Sequence, residues 1–149
     1  MTTAAALPPS PTDLPLPARR LGYAGLLPFL GGALLVWLVR DDVRLEVAFG
    51  LSAYAGLVAS FLGGIHWGQA FRQSEPPMRW LAWGVVPSLV AWPAVMMPPQ
   101  AGLVIHGLLL AGTYLVDRQL YPLQGAARWL TMRLRLSGLA SLSCFLGAA

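Results

Sequence analysis

Two histidines and an aspartate interrupt otherwise apolar segments of this chain, where a side chain able to carry charge is costly to keep. His66 stands in the stretch SFLGGIHWGQ (60–69). At helical spacing it joins Gln69 and Gln73 in a short polar seam, on the side of the helix away from Gly64. A second polar stripe combines Gly102, His106, Thr113, Asp117 and Tyr121 on one side of a later helix, provided that helix continues to Tyr121. Both stripes are expected to turn toward neighbouring helices, because lipid would penalise them. A carboxylate near a helix C-terminus opposes the helix dipole, so Asp117 needs a basic partner. Arg118, Arg133 and Arg135 are the candidates.

The chemistry these groups offer is binding. His66, Trp67, Gln69, Asp117, Arg118, Tyr121, Arg133 and Arg135 are placed to form a polar mouth for the head of an amphipathic molecule, a quinone or an anionic lipid. The plainer account of the same residues is structural. It has His66 bonded to a nearby carbonyl or side chain, and Thr113 bonded to its own backbone.

Catalysis and metal chemistry find less support. The single cysteine, Cys144, allows no internal disulfide and no cysteine-based metal site. HExxH, CxxC, GxGxxG and Walker patterns are absent. His66 and His106 stand near opposite ends of their helices, so their depths should differ by more than about 10 Å, too far for one haem iron. The expectation is a non-enzymatic protein with no catalytic residue, no metal and no cofactor.

The elements that must position these residues are membrane helices. Of 149 residues, 56% are hydrophobic and 11% charged, and the mean hydropathy is +0.61. That is too little charge to cover a soluble domain. A bilayer core of about 30 Å takes about 20 apolar residues, and five runs approach this: 21–39, 45–70, 80–97, 101–117 and 129–149. The fold class expected is therefore an all-α integral membrane bundle of five transmembrane helices. Residues 1–18 hold five prolines and lack the basic-then-apolar order of a secretory signal, so they read as a disordered tail.

Every basic residue is arginine. With five spans, Arg19, Arg20, Arg72, Arg79, Arg118, Arg128, Arg133 and Arg135 share one side, and Arg40 and Arg44 take the other. The positive-inside rule then puts the N-terminus in the cytoplasm and the C-terminus outside. The net charge of +4 forms no basic face, which argues against nucleic acid.

Every fourth residue of the second run is small: Ala48, Ser52, Gly56, Ser60, Gly64 and Gly68. The pattern predicts a close-packing ridge against another helix of this chain or of a partner. Pro28, Pro87 and Pro93 predict kinks inside spans. The short PPQ connection (98–100) predicts a tight hairpin.

GYAGLLPF (22–29), SFLGGIHWG (60–68), WGVVPSLVAW (83–92), VDRQLY (116–121) and RLRLS (133–137) resemble domain-of-unknown-function family 3429 over roughly residues 20–146. The resemblance implies a multi-pass protein of a bacterial inner membrane, or of the mitochondrial inner membrane in eukaryotic relatives. It implies no established activity and no catalytic residues. The leading expectation is an accessory or assembly factor that packs against other membrane proteins, or against a second copy of itself, through the small-residue ridge. The alternative is the quinone- or lipid-binding protein already described, and a small oligomeric transporter comes third.

Overall fold

The computed structural model describes residues 14–149, so most of the Pro-rich tail lies outside the described residues. The described chain is helical throughout: α1 (Leu16–Ala24), α2 (Leu27–Leu38), α3 (Asp41–Ala70), α4 (Met78–Met96), α5 (Pro99–Leu123) and α6 (Leu130–Ala148). A 3-10 turn, Ala127–Trp129, leads into α6. No strand occurs among the described residues. Three stretches are long and apolar enough to cross a membrane: Leu16–Leu38, Asp41–Ala70 and Pro99–Leu123.

Several boundaries differ from the hydropathy reading, each for a local reason. α1 begins at Leu16, within the expected tail, with proline in its first turn, where a missing N–H costs nothing. The kink expected at Pro28 is a full break. Pro28 has no N–H to offer Ala24, so the helix stops there and restarts at Leu27. The Gly25 carbonyl, exposed at the break, accepts from the Tyr54 hydroxyl of α3 at 2.9 Å. α3 starts at Asp41 rather than 45, because Asp41 and Asp42 suit the positive end of the helix dipole. α5 runs six residues beyond 117, so Asp117 lies within its helix and not at its end. α3 ends at Ala70, which leaves Gln73 in an exposed turn and out of the polar seam.

Helix α3 is the centre of the bundle and packs against α2, α4, α5 and α6. Its buried face is made largely of small residues: Ala48, Ser52, Ala55, Gly56, Ala59 and Gly63. Many large apolar side chains of the bundle point outward, among them Leu57, Phe61, Trp92 and Leu108. This is the inverse of a soluble protein, where a comparable exposed surface would aggregate.

Within the chain, the ridge at every fourth residue meets neighbouring helices only in its first half. Ser52 and Gly56 are buried against α4 and α5. Four residues advance a helix by 400°, so such a row drifts 40° per step. By Gly64 and Gly68 it has rotated off the contact, and neither glycine has a neighbour within 4 Å of where a Cβ would stand. Ser60, half-buried, bonds back to the Gly56 carbonyl at 2.9 Å. The close contact passes to Gly63, where a Cβ would run into the Gly84 carbonyl of α4. Gly102 does the same for the α4–α5 hairpin, since its Cβ would sit 2.5 Å from the Ala94 carbonyl.

Gly63→Ala should therefore lower unfolding stability in detergent by about 1–3 kcal/mol, because backbone cannot yield as a side chain would. Gly64→Ala should be neutral or slightly stabilising, since it removes a glycine from an open helix position. Equal loss from the two substitutions would contradict this packing.

Candidate functional site: a buried His–Asp–Arg cluster

Asp117 projects from α5 into the interior with its side chain 2% exposed. Arg133, from the first turn of α6, donates to Asp117 Oδ2 through Nε at 2.8 Å and through Nη2 as well. His66 Nε2 lies 2.9 Å from the other oxygen, Oδ1. Three helices thus meet on one carboxylate. Arg133 Nη1 also donates to Ser137 Oγ, one turn further along α6, at 3.0 Å. Gln124, in the turn after α5, places its Nε2 3.0 Å from His66 Nδ1. A neutral imidazole carrying its proton on Nε2 satisfies both contacts: it donates to Asp117 and accepts from Gln124. The ring of Tyr121 lies 5.9 Å from that of His66.

The Arg133 guanidinium and the Asp117 carboxylate balance one another inside the cluster, which is the condition for keeping either there. A carboxylate held in a dry interior without a partner would cost several kcal/mol. The partner of Asp117 is Arg133 among the three candidates, and burial rather than the helix dipole requires it. Arg118 and Arg135 are exposed. Trp67 faces α4, where its indole donates to the Leu81 carbonyl at 3.0 Å. Gln69 is half-buried and lines a cavity beside the cluster. The expected mouth of eight residues thus separates. His66, Asp117, Arg133 and Tyr121 converge, Gln69 is near, and Trp67, Arg118 and Arg135 turn elsewhere.

Ser137 and Gln124 are additional members. Sequence reasoning misses Ser137, although its place one helical turn after Arg133 is a signal that could find it. Gln124 lies beyond the helix, where periodicity carries no information.

Two adjoining cavities of about 320 and 490 Å³ flank the cluster between α1, α3 and α6. Both are bordered by Leu21, Gly22, Phe61, Leu62, Leu136 and Arg133. The larger also meets Gln69, Tyr121 and Trp129, and the smaller continues past Phe29 and Ala140. The groove is apolar along most of its length and polar where Arg133 borders it.

A second polar pair lies further along α5. Ser52 Oγ and His106 Nδ1 are 3.1 Å apart, and His106 Nε2 is buried beside Gly56. Eleven residues of helix separate His106 from Asp117, about 16 Å of rise, so the two histidines cannot share one iron. Thr113 bonds to the Leu110 carbonyl of its own helix at 2.9 Å. Among the described residues, no three His, Cys, Asp or Glu side chains are grouped to hold a metal.

The model of a family described as a protein of unknown function, DUF3429, matches residues 14–149. The chain is similar to transmembrane protein 69 of Xenopus tropicalis, 41% identical over 74% of this chain and 45% of the relative. It is also similar to transmembrane protein 69 of Mus musculus, 29% identical over 78% of this chain and 49% of the relative. The chain spans about half the length of these relatives. No solved structure matches it. Its apolar helices and these similarities identify a membrane protein.

Removing the imidazole should expose the weak side of the cluster. His66→Leu leaves Asp117 Oδ1 buried without its donor and should cost about 1–3 kcal/mol of stability in detergent. Gln124→Ala, which removes one neutral hydrogen bond, should cost about 0.5–1.5 kcal/mol. Wild-type stability in His66→Leu would contradict the assignment.

Proposed function

The chain belongs to the DUF3429 family, and from its geometry we propose a non-enzymatic inner-membrane protein that holds an amphipathic molecule in the groove between α1, α3 and α6. The observation that carries this reading is that the two cavities lie side by side and share six lining residues, Arg133 among them. Their apolar walls along three helices meet Arg133 in both cavities and Tyr121 in the larger one. Sites for small molecules have this character, mostly apolar with a few fixed polar groups. In the proposed arrangement all five helical stretches span the bilayer. Helices α4 and α6, 19 residues each, rise about 28 Å, close to the thickness of the hydrocarbon core. The arginine asymmetry supports a cytoplasmic N-terminus and an exterior C-terminus. The groove then opens toward the cytoplasmic leaflet.

A second reading, an accessory or assembly role, has its own support. Ser60, Gly64 and Gly68 leave a small-residue edge on the outer side of α3, and the two glycines are exposed. A partner helix, from another membrane protein or a second copy, can approach closely there. The edge adjoins the groove at Phe61, which borders both cavities and lies about 20° from Gly68 around α3.

Purification in mild detergent followed by lipid extraction and mass spectrometry tests the first reading. One amphipathic molecule should be retained per chain. Ala18→Trp, at the border of the larger cavity, should lose it without loss of stability. An identical lipid profile in wild type and Ala18→Trp would remove the groove as a binding site.

A further inference from the structure

Arg133 borders both cavities, yet its charge is already spent. A guanidinium has five N–H donors. Asp117 takes two of them, Ser137 a third, and the Tyr121 hydroxyl lies within hydrogen-bonding reach of the guanidinium, which leaves at least one N–H unspent on a residue that borders the groove. The groove is thus offered donor capacity without net charge. That combination discriminates between possible heads. A phosphate needs the positive charge itself. To draw it off, the phosphate would have to strip Asp117 of its partner and leave that carboxylate buried and uncompensated. A carbonyl oxygen needs only a free N–H and disturbs nothing. The larger cavity is also lined by Tyr121 and Trp129, and aromatic walls suit a flat ring. The smaller cavity, running past Leu26, Phe29, Val58 and Ala140, suits an apolar tail.

We infer that the occupant of the groove is a lipid-tailed quinone, an uncharged flat ring with two carbonyl acceptors, and not an anionic phospholipid. The inference rests on the amphiphile-binding reading and narrows it to one chemical class. The ring lies against Tyr121 and Trp129 with one carbonyl accepting from Arg133. The tail follows α3 and α6 toward Phe29. Binding alone is inferred, with no electron transfer.

Native mass spectrometry of the full chain in phospholipid-free detergent decides this. The probes are an oxidised short-tailed benzoquinone and phosphatidylglycerol, added separately and then together. One quinone should bind per chain, and phosphatidylglycerol should not displace it. Ala18→Trp should weaken quinone binding by about tenfold or more, equivalent to about 1.4 kcal/mol. Arg133→Lys, which keeps a cation for Asp117 and gives up the planar fork, should weaken it by up to about tenfold. Displacement of the quinone by phosphatidylglycerol, or binding of phosphatidylglycerol alone, would overturn the inference and leave the amphiphile reading standing. Failure of both probes to bind would overturn both. Quinone binding unchanged in Ala18→Trp would place the quinone elsewhere and overturn the assignment to this groove.

Discussion

One buried carboxylate organises the interior of this bundle. Asp117 accepts from Arg133 on one oxygen and sits at hydrogen-bond distance from His66 on the other, so α5 is tied to α6 and to α3 at a single point. Each attachment follows from the surroundings. Without water, the carboxylate must find its compensation in protein, and without a carboxylate, Arg133 could not stay 7% exposed. Ser137 and Gln124 extend the network and hold the guanidinium and the imidazole in register. The groove inherits its polarity from this arrangement, because the residue that balances Asp117 also borders the cavities.

The cluster requires helices that approach closely, and α3 supplies the approach. Its buried face is mostly alanine, glycine and serine, so neighbouring backbones come to within contact of it. Membrane helices cannot rely on a hydrophobic driving force between them, since lipid is as apolar as their side chains. Tight backbone contact and a few internal polar bonds take its place. Gly63 against Gly84 is the first kind of interaction, and the Ser141 hydroxyl donating to the Gly107 carbonyl at 2.8 Å is the second. The break at Gly25 lies on the wall of the groove. Pro28 interrupts the hydrogen-bond ladder between α1 and α2, and residues of both segments, with α3 and α6, line the smaller cavity.

Much of this was legible in the residues, and the rest was hidden for identifiable reasons. Composition and run lengths indicate an all-helical membrane chain, and polarity within apolar surroundings singles out His66 and Asp117 as inward-facing. The need of Asp117 for an arginine was also readable, although the physical cause is burial and not the helix end, because α5 continues to Leu123. The choice of Arg133 over Arg135 was not readable. Two residues apart on a helix point in nearly opposite directions, and only the phase of α6 against α5 decides which one enters. The fourfold ridge leaves the intramolecular contact beyond Ser60 because 4 and 3.6 diverge steadily along a helix of 30 residues. Gln124 gave no signal, since a turn has no period to read. The groove arises from three helices separated in sequence and has no local signature.

The central claim is that Asp117 and Arg133 stabilise the bundle as a pair, each required because the other is buried. A double-mutant cycle in detergent unfolding measures this directly. Arg133→Met alone should cost about 3–5 kcal/mol, because it leaves the Asp117 carboxylate without a counter-ion. Adding Asp117→Leu should recover most of that loss, since two apolar residues in contact no longer need compensation. If the two substitutions instead cost the sum of their separate effects, the residues act independently and the account of the interior fails.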